Sequence, residues 1–138
     1  MADLVKKATY CYVEVSDRAG QGERLLACLC EAGVNLVAYC GFPIARGRAQ
    51  LDFVPEDMAA FRRVARRHGW RVSASKRAFI ITGDDRPGAA HGHYQKLASA
   101  KISVTAAEAV AAGKGRYGMI LWVPPRHYAR AAQVLGAR

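Results

Sequence analysis

Between Tyr10 and Val15 apolar and polar residues alternate, with Cys11, Val13 and Val15 on one side, the period of two expected of a half-buried strand. Asp17 to Gly22 interrupts it with turn-forming residues. Leu25, Cys28, Leu29 and Ala32 then recur three and four apart, which predicts a helix with one buried stripe, closed by Gly33. A strand is predicted from Val34 to about Ile44, a turn at Arg46-Gly47, and a returning strand in which Ala49, Leu51 and Phe53 alternate. Pro55 stops that strand and opens a second helix, with Met58, Phe61, Ala65 and His68 on one apolar face and Gly69 at its end. Trp70, Val72 and Ala74 alternate through the segment 70–76 as a short fourth strand. The predicted unit is β-α-β-β-α-β.

The pattern then starts again. Asp17-Arg18-Ala19-Gly20 matches Asp85-Arg86-Pro87-Gly88, 68 positions later, and at the same spacing Leu29 meets Leu97, Ala32 meets Ala100, Val34 meets Ile102 and Gly47-Arg48 meets Gly115-Arg116. After one inserted residue, Phe53-Val54-Pro55 is matched to Trp122-Val123-Pro124. The second copy is read as a strand over 79–82, a helix opened by Pro87 and carrying Tyr94, Leu97 and Ala98, and a strand over 102–112. A turn at Lys114-Gly115, a strand with Met119, Leu121 and Val123, and a helix with Tyr128, Ala131 and Leu135 complete it. The fold class expected is α+β: two ferredoxin-like units in tandem, residues 1–76 and 77–138, each an antiparallel sheet with both helices on one face. The last strand of the second unit is missing, so that unit either leaves an open edge or borrows a strand.

Composition changes this picture little, except in charge. Of 138 residues, 51% are hydrophobic and 23% charged, a globular balance, and no apolar run reaches the roughly 18 residues of a membrane span. Without a secretory leader pattern, a cytoplasmic location is expected and the four cysteines, Cys11, Cys28, Cys30 and Cys40, read as reduced, small apolar core residues rather than bridges or metal ligands. The net charge is +10, much of it in Arg62, Arg63, Arg66, Arg67, Arg71, Lys76 and Arg77, with His68 among them. That run reads as a solvated helix face. The alternative is a nucleic-acid-binding module using residues 62–77, against which stands the lack of interleaved aromatic residues for base stacking. For chemistry, His91 and His93 with Asp84 and Asp85 are the best candidates, but histidines two apart on a helix point to different sides. No nucleophile elbow, phosphate loop or dinucleotide fingerprint is present, so no enzyme activity, catalytic residue, metal or cofactor is expected.

The two strand-to-helix loops carry a more specific signal. Asp85-Arg86-Pro87-Gly88 resembles the Asp-x-Pro-Gly start of ACT domains, and Ala32-Gly33-Val34-Asn35-Leu36 resembles the Gly-Ile-Asn-Ile step into their second strand. The chain departs from that pattern at Ala19 in the first copy and at Lys101-Ile102-Ser103 in the second. The resemblance implies a regulatory sensor that holds a small ligand, often an amino acid, where ACT units meet. Its ligand-binding candidates are Asp17, Gly20, Gln21, Gly22 and Asn35 in the first copy and Asp85, Gly88, Ala89 and Ser103 in the second. A helix N-terminus offers unpaired amides to a carboxylate, and Asn35 offers both a donor and an acceptor. The competing reading gives Asp17 and Asp85 to helix caps or turns, Gly20 and Gly88 to turn geometry, and Asn35 to a strand-entry turn. The expected partners are an amino-acid-like ligand, a second copy of the chain in a homodimer that covers the open edge, and a separate regulated enzyme. A purely structural dimerisation module without ligand is the remaining alternative.

Overall fold

The computed structural model describes residues 2–138, in which the chain forms β1 (Leu4–Ser16), α1 (Gln21–Glu31), β2 (Leu36–Ala45), β3 (Arg48–Pro55), α2 (Met58–His68), β4 (Lys76–Asp84), α3 (His91–Ser99), β5 (Ala106–Gly113), β6 (Arg116–Trp122) and α4 (Tyr128–Leu135). Contacts divide it into two compact units. One is Thr9–Lys76; the other joins residues 2–8 to Arg77–Arg138. No helix is long and apolar enough to cross a membrane among the described residues.

In the unit Thr9–Lys76, β3 lies between β2 and β1 and is antiparallel to both. Alternation places Cys11, Val13, Leu51 and Phe53 on the same face, where Leu25 and Leu29 of α1 and Phe61, Val64 and Ala65 of α2 cover them. Phe53 and Phe61 are fully buried with ring centroids 5.1 Å apart; burying each side chain contributes roughly 1.5–3 kcal/mol. Asp57 starts α2 by accepting a hydrogen bond from the amide of Ala60, and Gly69 ends it at a φ of 67°, a left-handed position that glycine takes without strain. The apolar face of α2 thus includes Val64 and excludes His68, which is exposed and stacks on Trp70. The predicted strand over 70–76 is reduced to one bridge between Val13 and Val72. There the Tyr12 amide donates to the Ser73 hydroxyl oxygen instead of to a strand carbonyl, while the Ser73 amide donates to the Tyr12 carbonyl. A side chain that takes over a ladder bond ends the ladder.

The second unit has the same plan, with β6 between β5 and β4. Its core joins Phe79, Ile81, Met119 and Leu121 to Leu97 of α3 and Tyr128, Ala131 and Leu135 of α4. Phe79 and Tyr128 stack at 4.4 Å, and the Tyr128 hydroxyl donates to the Ala78 carbonyl. Among the described residues no strand follows α4. The vacant place beside β4 is taken by the first part of β1, whose residues up to Ala8 belong to this unit and whose Val5 enters its core. The borrowed strand is itself held by the last residue: Arg138 donates its amide to the Val5 carbonyl and accepts from Lys7. The open edge that motivated a homodimer is therefore covered from within the chain, and the division expected between 1–76 and 77–138 shifts by those first residues.

The repeat is visible bond by bond. Asp17 donates its amide to the Gly47 carbonyl and Asp85 to that of Gly115; Val34 donates to Leu29 and Ile102 to Leu97. Gly20 and Gly88, at φ of 93° and 76°, and Gly47 and Gly115, at 74° and 71°, adopt the same left-handed geometry. Strand registers correct the predicted insertion: Cys11 pairs with Phe53 and Phe79 with Leu121, so the spacing stays at 68 and Phe53 corresponds to Leu121. The length change falls later, in the turn leading to α4, after which Gly69 corresponds to Gly136 at a spacing of 67.

Helix α3 starts at His91, four residues after Pro87, because the segment 87–90 forms a turn. Its buried side chains are His93 and Leu97, the counterparts of Leu25 and Leu29, while Tyr94 and Ala98 are exposed. The cysteines divide likewise. Cys11 and Cys40 are buried, Cys28 is half-buried and Cys30 is exposed, since two positions along a helix rotate a side chain by about 200°. Burial first, against the opposing charge of Arg62 and with that of Asp52, pushes the Cys11 thiol up to about 11, so it stays protonated and inert at neutral pH.

Candidate functional site

A cleft of about 270 Å³ opens in the unit Thr9–Lys76 where β1 turns into α1. Its apolar floor is Val15, Ala49 and Leu51 from the sheet; the loop contributes Ser16, Asp17 and Arg18, α1 contributes Gln21 and Gly22, and β2 closes one side with Gly41, Phe42 and Pro43. The volume lies just below the range of about 300–1,000 Å³ usual for small-molecule sites, which limits the guest to a compact metabolite.

Each wall has a local reason. Gly20 at φ 93° turns the chain into α1, whose first turn carries Glu23 as its acidic residue and has no capping side chain, so its first-turn amides are left without a cap. Asp17 is exposed and takes no capping role; its amide is fixed to Gly47, leaving the carboxylate at the rim. Arg18 is steadied by the Ser16 hydroxyl, which accepts from both its amide and its Nε at 3.2 Å. Gly22 and Gly41 are small because the Tyr39 hydroxyl lies between them: a Cβ would come within 3.2 Å of it at Gly22 and 3.5 Å at Gly41. Burial, reinforced by Cys40, raises the Tyr39 phenol above its ordinary value, so it stays a neutral hydrogen-bonding group. An exposed carboxylate, a guanidinium beside an uncapped helix and an apolar floor can together receive a zwitterion with a short side chain.

Of the residues singled out in the first copy, the structure brings Asp17, Gln21 and Gly22 to this cleft, with Gly20 shaping the turn. Asn35 is elsewhere. It follows α1 at the other end of that helix, about 16 Å along its axis, exposed, with its carbonyl accepting from the Glu56 amide. Ser103 is placed in the same way beyond α3 and is exposed. Sequence reading passed over Arg18, Phe42, Pro43 and Tyr39. Arg18 was legible, being part of the repeated Asp-Arg step; the β2 residues were not, since the pairing of β2 with β3 decides which of them reach α1.

In the second unit Asp85, Gly88 and Ala89 form the equivalent loop, and Asp85 is again exposed without a capping bond. The space beside it is filled. Tyr117 stands at the position of Ala49 and His93 at that of Leu25, and both contact Asp3. Tyr117 donates its hydroxyl to Asp3 Oδ2 at 2.6 Å, His93 Nε2 lies 2.7 Å from the same oxygen, and Arg86 Nη1 is 3.4 Å from Oδ1. An ionised carboxylate only accepts, so Nε2 carries the hydrogen in this contact. His93 is accordingly a buried residue, not a surface one, while His91 is exposed. Among the described residues, no three His, Cys, Asp or Glu side chains come together as a metal site.

Burial alone would raise the Asp3 carboxyl, but the hydrogen bonds from Tyr117 and His93 and the charge and hydrogen bond of Arg86 outweigh it and hold it below its ordinary 3.8. Tyr117 is pushed the other way, above its ordinary 10.0, by burial first and then by the hydrogen bond and charge of Asp3. A lowered acid contributes stability that is present above 3.8 and lost as pH falls through the folded value; a raised phenol contributes stability that is present below 10.0 and lost as pH rises above it. The melting temperature of the wild type is therefore expected to fall more steeply than that of Tyr117→Phe above pH 10, and more steeply than that of Asp3→Asn below pH 4, when followed by circular dichroism. Parallel curves at both extremes would contradict the network.

The basic run is partly committed to structure. Arg62 donates to the Ser73 carbonyl and the Ser75 hydroxyl, tying the segment after α2 to that helix, and the Arg77 guanidinium lies 4.2 Å over the Tyr128 ring. Arg63, Arg66 and Arg67 are exposed.

No family model matches the chain, and no curated protein sequence matches it. Solved structures do. Protein BT0572 from Bacteroides thetaiotaomicron superposes with a TM-score of 0.82 at 14% identity, over 96% of this chain and 88% of that one. The regulatory subunit of aspartate kinase from Thermus thermophilus gives 0.62 at 16% identity, over 99% and 95% of the two chains. That from Thermus flavus gives 0.60 at 18%, over 98% and 94%. Identities this low speak for fold alone, and with the duplicated loops and matched registers they show that the chain is built as two ferredoxin-like units in tandem, the fold of those regulatory subunits.

Proposed function

We propose that this chain is a non-catalytic regulatory protein that senses an amino acid or a similar small zwitterion in the cleft of the unit Thr9–Lys76. The observation that carries this reading is the open cleft at the uncapped start of α1, with Arg18 and Asp17 at its rim and Val15, Ala49 and Leu51 as its floor. The guest's carboxylate is received by the α1 amides and Arg18, its ammonium by Asp17, and its side chain by the floor and Phe42. The fold shared with regulatory subunits of aspartate kinase supports a regulatory role, exercised on a separate enzyme in the cytoplasm. Homodimer formation is part of the proposal and is now supported by the edge strands: Val37, Tyr39, Phe42 and Ile44 of β2 and Val110 of β5 are exposed, and an apolar edge invites pairing.

A thermal-shift screen of the twenty amino acids and related acids tests the proposal. One chemical class is expected to raise the melting temperature with concentration, following RT ln(1 + [L]/Kd), and Arg18→Ala is expected to weaken that response about tenfold, the loss of one charge-assisted contact. A flat screen would remove the sensor reading.

A further inference from the structure

We propose that Arg86, His93 and Tyr117 form a second binding site, specific for a small carboxylate, and that Asp3 of the same chain occupies it as a built-in ligand. Three donors from three different elements converge on one carboxylate: the loop after β4 supplies Arg86, α3 supplies His93 and β6 supplies Tyr117. The Asp3 side chain is 6% exposed and that of His93 is 8% exposed, while Arg86, at 48%, reaches the carboxylate from the solvent side. His93 Nδ1 is also buried, with no hydrogen-bond partner among the described residues. A histidine is not placed there for packing, since its counterpart in the other unit is Leu25, which fills the same position without any polar atom.

The backbone is cut to fit the guest. Gly83 takes the position of Val15, and a Cβ there would run into the Asp3 carboxylate and come within 2.9 Å of the Tyr117 ring. Repeat symmetry puts this pocket at the place of the open cleft: Gly83 replaces Val15, Tyr117 replaces Ala49 and Arg86 replaces Arg18. One copy of the duplicated site is thus left open, and the other carries a carboxylate from its own chain. Because Asp3 is tethered, its effective concentration is of millimolar order, enough to exclude weak free carboxylates. The second unit is held in its ligand-bound form. This holds whatever the open cleft binds.

The test is to vacate the site and refill it from solution. In Asp3→Ala the melting temperature is expected to fall, then to climb by about 5 °C as formate approaches saturation, measured against chloride at equal ionic strength. Wild type is expected to show no formate-specific rise, and Asp3→Ala with Tyr117→Phe to lose most of it. If Asp3→Ala does not fold in chloride, the readout becomes recovery of its folded spectrum in formate. Absence of any formate-specific rise or recovery, an equal rise in wild type, or an undiminished rise without the Tyr117 hydroxyl would each overturn the proposal.

Discussion

Deletion of residues 2–8 is expected to unfold the segment 77–138 while its disruption of the segment 9–76 stays small. The first part of β1 is the strand that completes the second unit's sheet beside β4. Its removal withdraws Val5 from the core, worth roughly 1.5–3 kcal/mol, and exposes one whole edge of β4. It also takes away the Asp3 carboxylate, leaving the Tyr117 and His93 polar groups buried without their acceptor, at about 1–3 kcal/mol each. The sum is of the same size as the entire stability expected for a unit this small, about 0.05–0.15 kcal/mol per residue. Amide exchange read by NMR checks it. Loss of protection throughout β4, α3, β6 and α4 with protection retained in β3 and α2 is the expected outcome; native protection in both halves would show that the borrowed strand is dispensable.

The second large effect concerns the open cleft. Ala49→Tyr is expected to abolish ligand response, with affinity reduced at least about 100-fold, or about 2.7 kcal/mol, and with the fold intact. The reasoning comes from the repeat. Tyr117 occupies the corresponding position in the second unit, opposite Gly83 where the first unit has Val15, so a tyrosine at 49 has to turn its ring away from Val15 and into the cleft that it lines with Leu51. Substitutions at buried sites often fail through overpacking; this one faces an open cleft and has room to extend. Unchanged circular dichroism together with a flat thermal shift toward the ligand that wild type binds is the expected pair of results. Retained binding would move the site away from the β1-α1 loop.

Much of this architecture was legible in the residues, and the failures have identifiable physical causes. Strand alternation around Cys11, Val13, Leu51 and Phe53 and the helical spacing of Leu25 and Leu29 depend on the fixed periods of two and 3.6, so they survive folding unchanged. Glycines at 20, 47, 88 and 115 marked turns because only left-handed backbone closes them. The phase of α3 was not legible: the same stretch permits Tyr94 or His93 to face inward, and the choice fell to a hydrogen bond with Asp3, 90 residues away. The strand after α2 dwindled to a bridge because Ser73 competes with its own backbone, and Asn35 was separated from the loop because the length of α1 lies between them.

Two copies of one unit, the places where each turns, and the apolar faces of their strands and of α1 follow from the residues, since these are local properties of periodicity and backbone stereochemistry. Tertiary structure alone decided which strand completes the second unit, and that one cleft stays open while its twin closes on Asp3. Those outcomes depend on contacts between residues far apart in the chain, such as Asp3 with Tyr117, and no short-range pattern encodes them.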